Sequence, residues 1–250
     1  MTFVKDKYDR VIDYIRISIT DRCNLRCVYC MPSDGIKPID FKNILSYEEI
    51  IRIVRTAVKL GVKKIRITGG EPLIRKNLPY LIGKINGIDG IEDISLTTNG
   101  LLLKQHMRHL VDSGLKRVNI SLDSLRPERY AAITRGGDIK KVFEGIQEAE
   151  AAGLTPIKIN MVPIRGFNDD EIEEFAKITF KAAYHIRFIE FMPIGSREVW
   201  SHEKYISSEE LRERVSKVAP LMPLKLRRSG PARYYGFENS PGCIGFISPI

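Results

Sequence analysis

Long apolar runs are missing from this sequence. None approaches the roughly 18 consecutive apolar residues that a membrane-spanning helix needs, and the segment Met1–Arg10 is charged with no apolar stretch behind it. A membrane span and a secretory signal are therefore not expected, and a cytoplasmic location is. Cysteine is scarce: four residues in 250, too few and too unevenly spaced for the disulfide framework of a small secreted domain. Internal repeats, low-complexity tracts and a long linker are absent too. With 28% charged and 43% hydrophobic residues the composition is an ordinary globular one, which removes disordered and fibrous classes. At roughly 150 residues per domain, the length suits one large domain or two small ones with a sizeable core.

Acidic residues are in deficit, 31 against 40 basic ones, for a net charge of +9. That balance suits either general solubility or an anionic partner: nucleic acid, a nucleotide or an acidic protein. The densest basic cluster is Lys225, Arg227, Arg228 and Arg233. It is short, and only Tyr234 and Tyr235 lie beside it, which makes a poor stacking surface for bases. Nucleic acid is not expected as a partner.

What the chain does have is a rhythm of strand and helix. β-Branched runs at Tyr14–Thr20, Lys63–Thr68, Asp93–Thr98, Arg117–Leu122, Pro156–Val162 and His185–Phe191 predict strands. Helices are predicted between them at Tyr47–Leu60, Leu101–Ser113, Ile139–Ala152 and Asp169–Ala182. In the first helix Ile50, Ile53, Val54, Ala57 and Val58 recur at helical spacing, Ser46 and Glu49 form a capping box, and Gly61 stops it. The pairs Asn168 with Glu171 and Ser207 with Glu210 repeat that start signal. Six β-then-α units imply a parallel sheet with helices on its outer face, a barrel short of two units.

Buried parallel strands usually read as continuous apolar runs, but here they alternate. Ile15, Ile17 and Ile19 oppose Arg16, Ser18 and Thr20. Ile65 and Ile67 oppose Arg66 and Thr68, and Ile94 and Leu96 oppose Ser95 and Thr97. Val118 and Ile120 oppose Asn119, Ser121 and Asp123, and Ile157 and Ile159 oppose Lys158 and Asn160. With the apolar faces packed on the helices, the polar faces would line a lumen able to hold a charged ligand.

Three of the cysteines fall in one short segment after the first predicted strand: Cys23, Cys27 and Cys30, spaced C-x3-C-x2-C. Three thiolates on one loop can hold three irons of a four-iron cluster and leave the fourth open to a chelating small molecule. A three-thiolate zinc site with an open position is the competing reading, although structural zinc sites want four ligands. Cys243 stands alone, and a lone cysteine is more often a small buried hydrophobe than a ligand.

This segment, with Tyr29 before its last cysteine, resembles the cluster loop of the radical S-adenosylmethionine (SAM) enzymes, and Thr68-Gly69-Gly70-Glu71-Pro72 resembles that superfamily's second motif. Within the superfamily, Tyr14–Pro32, Ile65–Pro72, Leu96–Gly100, Asn119–Ser124, Lys158–Val162, Phe188–Gly195 and Gly245–Pro249 resemble the molybdenum-cofactor biosynthesis protein A family, the GTP 3′,8-cyclases. The resemblance runs from Tyr8 to Pro249. It implies an α/β fold, a partial (β/α)6 barrel of the radical SAM type with a short C-terminal β-containing extension. It also implies a division into a barrel at residues 1–200 and the beginning of the extension at 201–250.

The resemblance further implies that Cys23, Cys27 and Cys30 ligate a [4Fe-4S] cluster, and that Tyr29, Gly70, Ser121 and Met192 contact SAM. Gly70, without a side chain, allows close backbone approach. Arg16, Arg66, Thr97 and Lys158, joined by Arg187, would hold GTP, arginine by bidentate phosphate contacts and lysine as a point charge. The chemistry implied is cleavage of SAM to a 5′-deoxyadenosyl radical, hydrogen abstraction from C3′ of the ribose and attack of C3′ on C8, giving 3′,8-cyclo-7,8-dihydro-GTP. Implied partners are an electron donor, a second copy of the chain and a downstream cyclic pyranopterin monophosphate synthase.

One departure stands out. Family members continue past the Ile-Ser-Pro segment into a second three-cysteine cluster with arginines for GTP, whereas this sequence ends at Ile250, and Cys243 matches none of those ligands. The chain is expected to be the N-terminal part of such a protein, since its lumen residues are intact. A radical SAM enzyme for another substrate, and a non-catalytic SAM- or cluster-binding module, are the other readings.

Overall fold

A computed structural model describes residues 4–193, 200–226 and 230–248. Arg227 and Arg228 of the basic cluster, Gly195 and Pro249 lie outside the described residues. In chain order the elements are β1 (Tyr14–Ser18), α1 (Tyr47–Lys59), β2 (Lys64–Thr68), α2 (Leu78–Asn86), β3 (Asp93–Thr98), α3 (Leu103–Asp112), β4 (Arg117–Ser121) and α4 (Pro127–Thr134). There follow α5 (Ile139–Ala151), β5 (Lys158–Met161), α6 (Ile172–Lys177), β6 (His185–Ile189), α7 (Ser208–Ser216), β7 (Met222–Leu224), β8 (Arg233–Gly236) and β9 (Cys243–Ile247). All six strands expected from the β-branched runs are present, Asp93–Thr98 unchanged and the other five trimmed at their ends. Among the described residues no helix is long and apolar enough to cross a membrane.

The helix starts divide. At α1 the capping box forms in both directions: Ser46 Oγ accepts from Glu49 N at 3.2 Å, and Ser46 N donates to Glu49 Oε2 at 2.7 Å. Ser207 Oγ likewise accepts from Glu210 N at 3.2 Å. Asn168 does not cap, which corrects the reading from spacing alone. Its Nδ2 donates to the carbonyls of Asp123 (2.8 Å) and Val162 (3.0 Å), and its Oδ1 accepts from Ile164 N at 2.7 Å. Glu171 is equally diverted, accepting from Ser124 Oγ, Leu125 N and Arg129 Nη1. Both side chains are fully buried, and inside a protein tertiary partners outcompete a local cap. The helix expected at Asp169–Ala182 accordingly breaks into a 3-10 turn, α6 and a second 3-10 turn. Helices α2 and α4, absent from the reading by periodicity, start with proline in their first turn, where its missing N–H costs nothing.

The chain divides into two compact units. The first comprises Met1–Asn24, Lys37–Asn119 and Glu144–Leu154. In it β1, β2, β3 and the start of β4 are neighbours in that order, with β1–β2 and β2–β3 parallel. Ile65, Ile67, Ile94 and Leu96 of the alternating face are fully buried, as are Val54, Leu81, Ile85 and Leu110 of the helices, each such side chain contributing about 1.5–3 kcal/mol. On the edge strand β1, Ile15 and Ile17 are only half-buried.

The second unit comprises Leu25–Ile36, Ile120–Phe143 and Thr155–Ile250. Here the end of β4, then β5, β6, β9, β8 and β7 are neighbours. β5–β6 and β6–β9 are parallel, and β9–β8 and β8–β7 antiparallel. The extension is therefore a meander whose last strand joins the parallel set. Phe188 of β6 stacks on Phe246 of β9 with centroids 5.9 Å apart. Cys243 is buried, and burial pushes its thiol up to about 12, as suits a small hydrophobe.

Candidate functional site

The cysteine segment leaves β1 and is moulded at its entry by backbone. In the first unit Gly70 N donates to Thr20 O at 2.6 Å and Glu71 N to Arg22 O at 2.7 Å. A Cβ on Gly70 would stand 2.2 Å from the Arg22 carbonyl oxygen, so the bare Cα of this glycine is required by the segment leading to Cys23. Glu71, 1% exposed, accepts from Leu73 N (3.0 Å), Thr98 Oγ1 (2.7 Å) and Asn99 N (2.7 Å). Burial raises its carboxyl above the ordinary range while the three donors pull it back. Asn99 in turn places Nδ2 at 3.9 Å from Cys23 Sγ and donates it to Asn24 Oδ1 at 2.8 Å.

In the second unit the rest of the segment is tied to α4 and to the end of β4. Arg26 N donates to Thr134 O at 3.1 Å and Val28 N to Ile133 O at 2.9 Å, while Arg135 Nη1 reaches the carbonyls of Arg26 and Met31. Between Cys27 and Cys30, the Tyr29 hydroxyl donates to Asp123 Oδ2 at 2.6 Å, and the other carboxylate oxygen accepts from Val162 N at 2.9 Å. Asp123 is 2% exposed, and burial pushes its carboxyl up to about 6 against the pull of these two donors. Burial and then the Asp123 charge lift the Tyr29 phenol well above its usual value. The same two causes raise the Cys30 thiol, although the residue as a whole is exposed. Cys27, Ser121 at the end of β4 and Met192 after β6 are half-buried.

The cations named from the sequence fall into two sets. In the first unit Arg16, Arg66 and Ser95 are side-by-side partners on β1, β2 and β3, with Thr97 on the same face. Arg16 is exposed. Arg66 is half-buried, its guanidinium 5.2 Å from the Tyr14 ring and its Nε 3.4 Å from Ser95 Oγ. In the second unit Lys158 and Arg187 share one face of β5 and β6, 6% and 4% exposed. Arg187 Nε donates to Asn160 Oδ1 at 2.8 Å. His185, the cross-strand partner of Lys158, is pushed down to about 4 by burial and by these two cations. The polar faces are thus as sheltered as the apolar ones in this unit, and alternation marks two buried faces of opposite character. Asn99, Asp123 and Asn160 were not named as site residues. Each lies on a polar strand face or at a strand end already noted, but only their distant partners distinguish them.

Cys23, Cys27 and Cys30 are all unbridged. A soft all-sulfur donor set on one loop fits an iron–sulfur cluster, in which each thiolate takes a separate iron. Among the described residues no three His, Cys, Asp or Glu side chains converge on a single-ion site.

Comparison with known proteins bears on the whole chain. The radical SAM superfamily pattern matches residues 17–178, and the pattern described as Molybdenum Cofactor Synthesis C matches residues 184–250. A GTP 3′,8-cyclase of Thermodesulfovibrio yellowstonii is 53% identical over 99% of this chain and 77% of its own length. One of Alkaliphilus oremlandii is 51% identical over 99% and 76%. The chain thus spans about three quarters of these relatives' length. Among solved structures, Streptococcus suis SuiB bound to S-adenosylmethionine aligns with TM-score 0.66 at 19% identity, over 82% of this chain and 47% of that one. Methylornithine synthase (PylB) aligns with TM-score 0.65 at 14% identity, over 82% and 61%. These likenesses show a shared fold, the α/β fold with a parallel sheet expected from the sequence.

Proposed function

The chain belongs to the radical SAM superfamily and, within it, to the GTP 3′,8-cyclases, and from that membership we propose that it converts GTP to 3′,8-cyclo-7,8-dihydro-GTP in molybdenum cofactor biosynthesis. The observation that carries the reading is the loop of three unbridged thiols whose entry is moulded on Gly69 and Gly70. Cys23, Cys27 and Cys30 are the ligands we assign to a [4Fe-4S] cluster. When bound and reduced, it supplies the electron that splits SAM into methionine and the 5′-deoxyadenosyl radical.

The chain's own residues bind, orient and shield. Tyr29, Gly70, Ser121 and Met192 are assigned to SAM, and Arg16, Arg66, Thr97, Lys158 and Arg187 to GTP. Buried cations attract a triphosphate more strongly than exposed ones, because less water screens them. On that ground Lys158 and Arg187 carry more of the binding than Arg16, and Asn160 holds the Arg187 fork in place. The deoxyadenosyl radical takes the hydrogen from C3′ of the ribose, C3′ attacks C8, and the resulting nucleotide radical takes up one electron from the external donor and one proton to give the cyclised dihydro product. Cys243, buried on β9, is left out of the ligand set, since it matches none of the family's cluster cysteines. We further divide the chain into a catalytic part at residues 1–200 and an extension beginning at 201.

The test is anaerobic reconstitution with iron and sulfide, then incubation with dithionite, SAM and GTP. 5′-Deoxyadenosine and the cyclised nucleotide are expected, and absence of both overturns the reading. Lys158→Ala should weaken GTP binding by about tenfold or more, the value of a charge-assisted hydrogen bond, with iron content unchanged. Loss of iron instead would make Lys158 structural.

A further inference from the structure

Asp123 is claimed by none of these assignments, yet it is the acceptor on which the middle of the cysteine segment hangs. Tyr29 sits two residues after Cys27 and one before Cys30. Its hydroxyl has an anionic acceptor at 2.6 Å, a short charge-assisted bond of the stronger kind. The acceptor is itself immobilised. Its second oxygen is held by Val162 N, its backbone carbonyl by Asn168 Nδ2 at 2.8 Å, and Leu122 before it donates to Asn160 O at 2.8 Å. The exposed Cys30 and half-buried Cys27 thereby borrow rigidity from the ends of β4 and β5.

We propose that Asp123 is a positioning residue for the metal-binding loop: through Tyr29 it holds the Cys27–Cys30 stretch in its binding conformation, and its negative charge keeps a cluster bound there at a low reduction potential. The inference rests on the reading of Cys27 and Cys30 as cluster ligands. The two effects are separable. Reduction adds negative charge to the cluster, so a fixed anion nearby opposes it and makes the reduced form a stronger donor. Removing the charge while keeping the side chain's shape shifts the potential. Removing the phenol's anchor loosens the loop.

The experiment uses the full chain, reconstituted anaerobically, as wild type, Asp123→Asn, Tyr29→Phe and Asp123→Ala. Iron and sulfide content, resistance of iron to a chelator and an EPR-monitored redox titration without SAM are read for each. Asp123→Asn is expected to keep wild-type iron content and to favour reduction on the order of tenfold, about 59 mV for one electron. Tyr29→Phe should lose iron to the chelator several-fold faster, and Asp123→Ala should show both changes. An unmoved potential in Asp123→Asn, or wild-type chelator resistance in Tyr29→Phe, overturns the corresponding half of the proposal. Asp123→Asn preserves side-chain shape, so these readouts stand even if Asp123→Ala fails to fold. A wild-type chain that takes up no iron overturns the cluster reading itself, and this inference with it. Iron uptake by all four chains with no difference between them overturns this inference alone.

Discussion

Glu71 after β2 and Asp123 after β4 are both buried carboxylates at strand ends, and they are held by different kinds of donor. Glu71 takes two backbone N–H groups and a threonine hydroxyl. Asp123 takes one backbone N–H and a phenol. A backbone N–H only donates, whereas a phenol can turn round and accept. The surroundings of Glu71 therefore demand a carboxylate for the fold's sake. Those of Asp123 would tolerate a neutral amide, which leaves its charge free to serve chemistry. The loop after β2 shapes the path of the chain into Cys23, and Asp123 reaches the stretch between Cys27 and Cys30.

Four substitutions test that contrast, beginning where the effect is greatest. Cys27→Ala should abolish 5′-deoxyadenosine formation in a reconstituted chain while changing the stability of the metal-free protein by less than about 1 kcal/mol. Unchanged yield would remove Cys27 from the ligand set and erase the contrast. Gly70→Ala should do its damage earlier, lowering the stability of the metal-free chain by ~3 kcal/mol through overpacking against Arg22. Denaturant unfolding is the check, and a wild-type midpoint would mean the backbone gives way more easily than its 2.2 Å approach suggests. Glu71→Gln against Asp123→Asn is the finest test. The first sets an amide against donors that cannot reverse and should cost about 2 kcal/mol, and the second less than about 1 kcal/mol. Equal costs in urea titrations would show that the two carboxylates differ in neither role nor tolerance.

Much of this was legible in the sequence itself. Alternation located the five strands from Tyr14 to Met161, because a period of two in a β-branched run matches the pleat of a strand and not the turn of a helix. The Ser46–Glu49 box was legible because both partners are local. Asn168 and Glu171 carry the same spacing, but their buried side chains answer to Asp123, Val162, Ser124 and Arg129, and no local pattern reports a distant partner. The same holds for Asp123, whose phenolic donor lies far away in sequence. The placement of β9 between β6 and β8 is equally silent, since a strand's neighbour depends on the whole sheet. Spacing and resemblance named the cysteines and cations; what secures them came only with the packing.

The contact between Gly70 and the cysteine segment has one more implication, for how such a chain can vary. The glycine meets carbonyl oxygens and carbons of Asp21 and Arg22, atoms that every amino acid carries. The Arg22 side chain points elsewhere, its guanidinium 4.0 Å from the Phe41 ring at an exposed position. Mutational freedom is thus distributed unequally across a single interface: residue 22 can drift through many identities without disturbing the mould, while position 70 admits one.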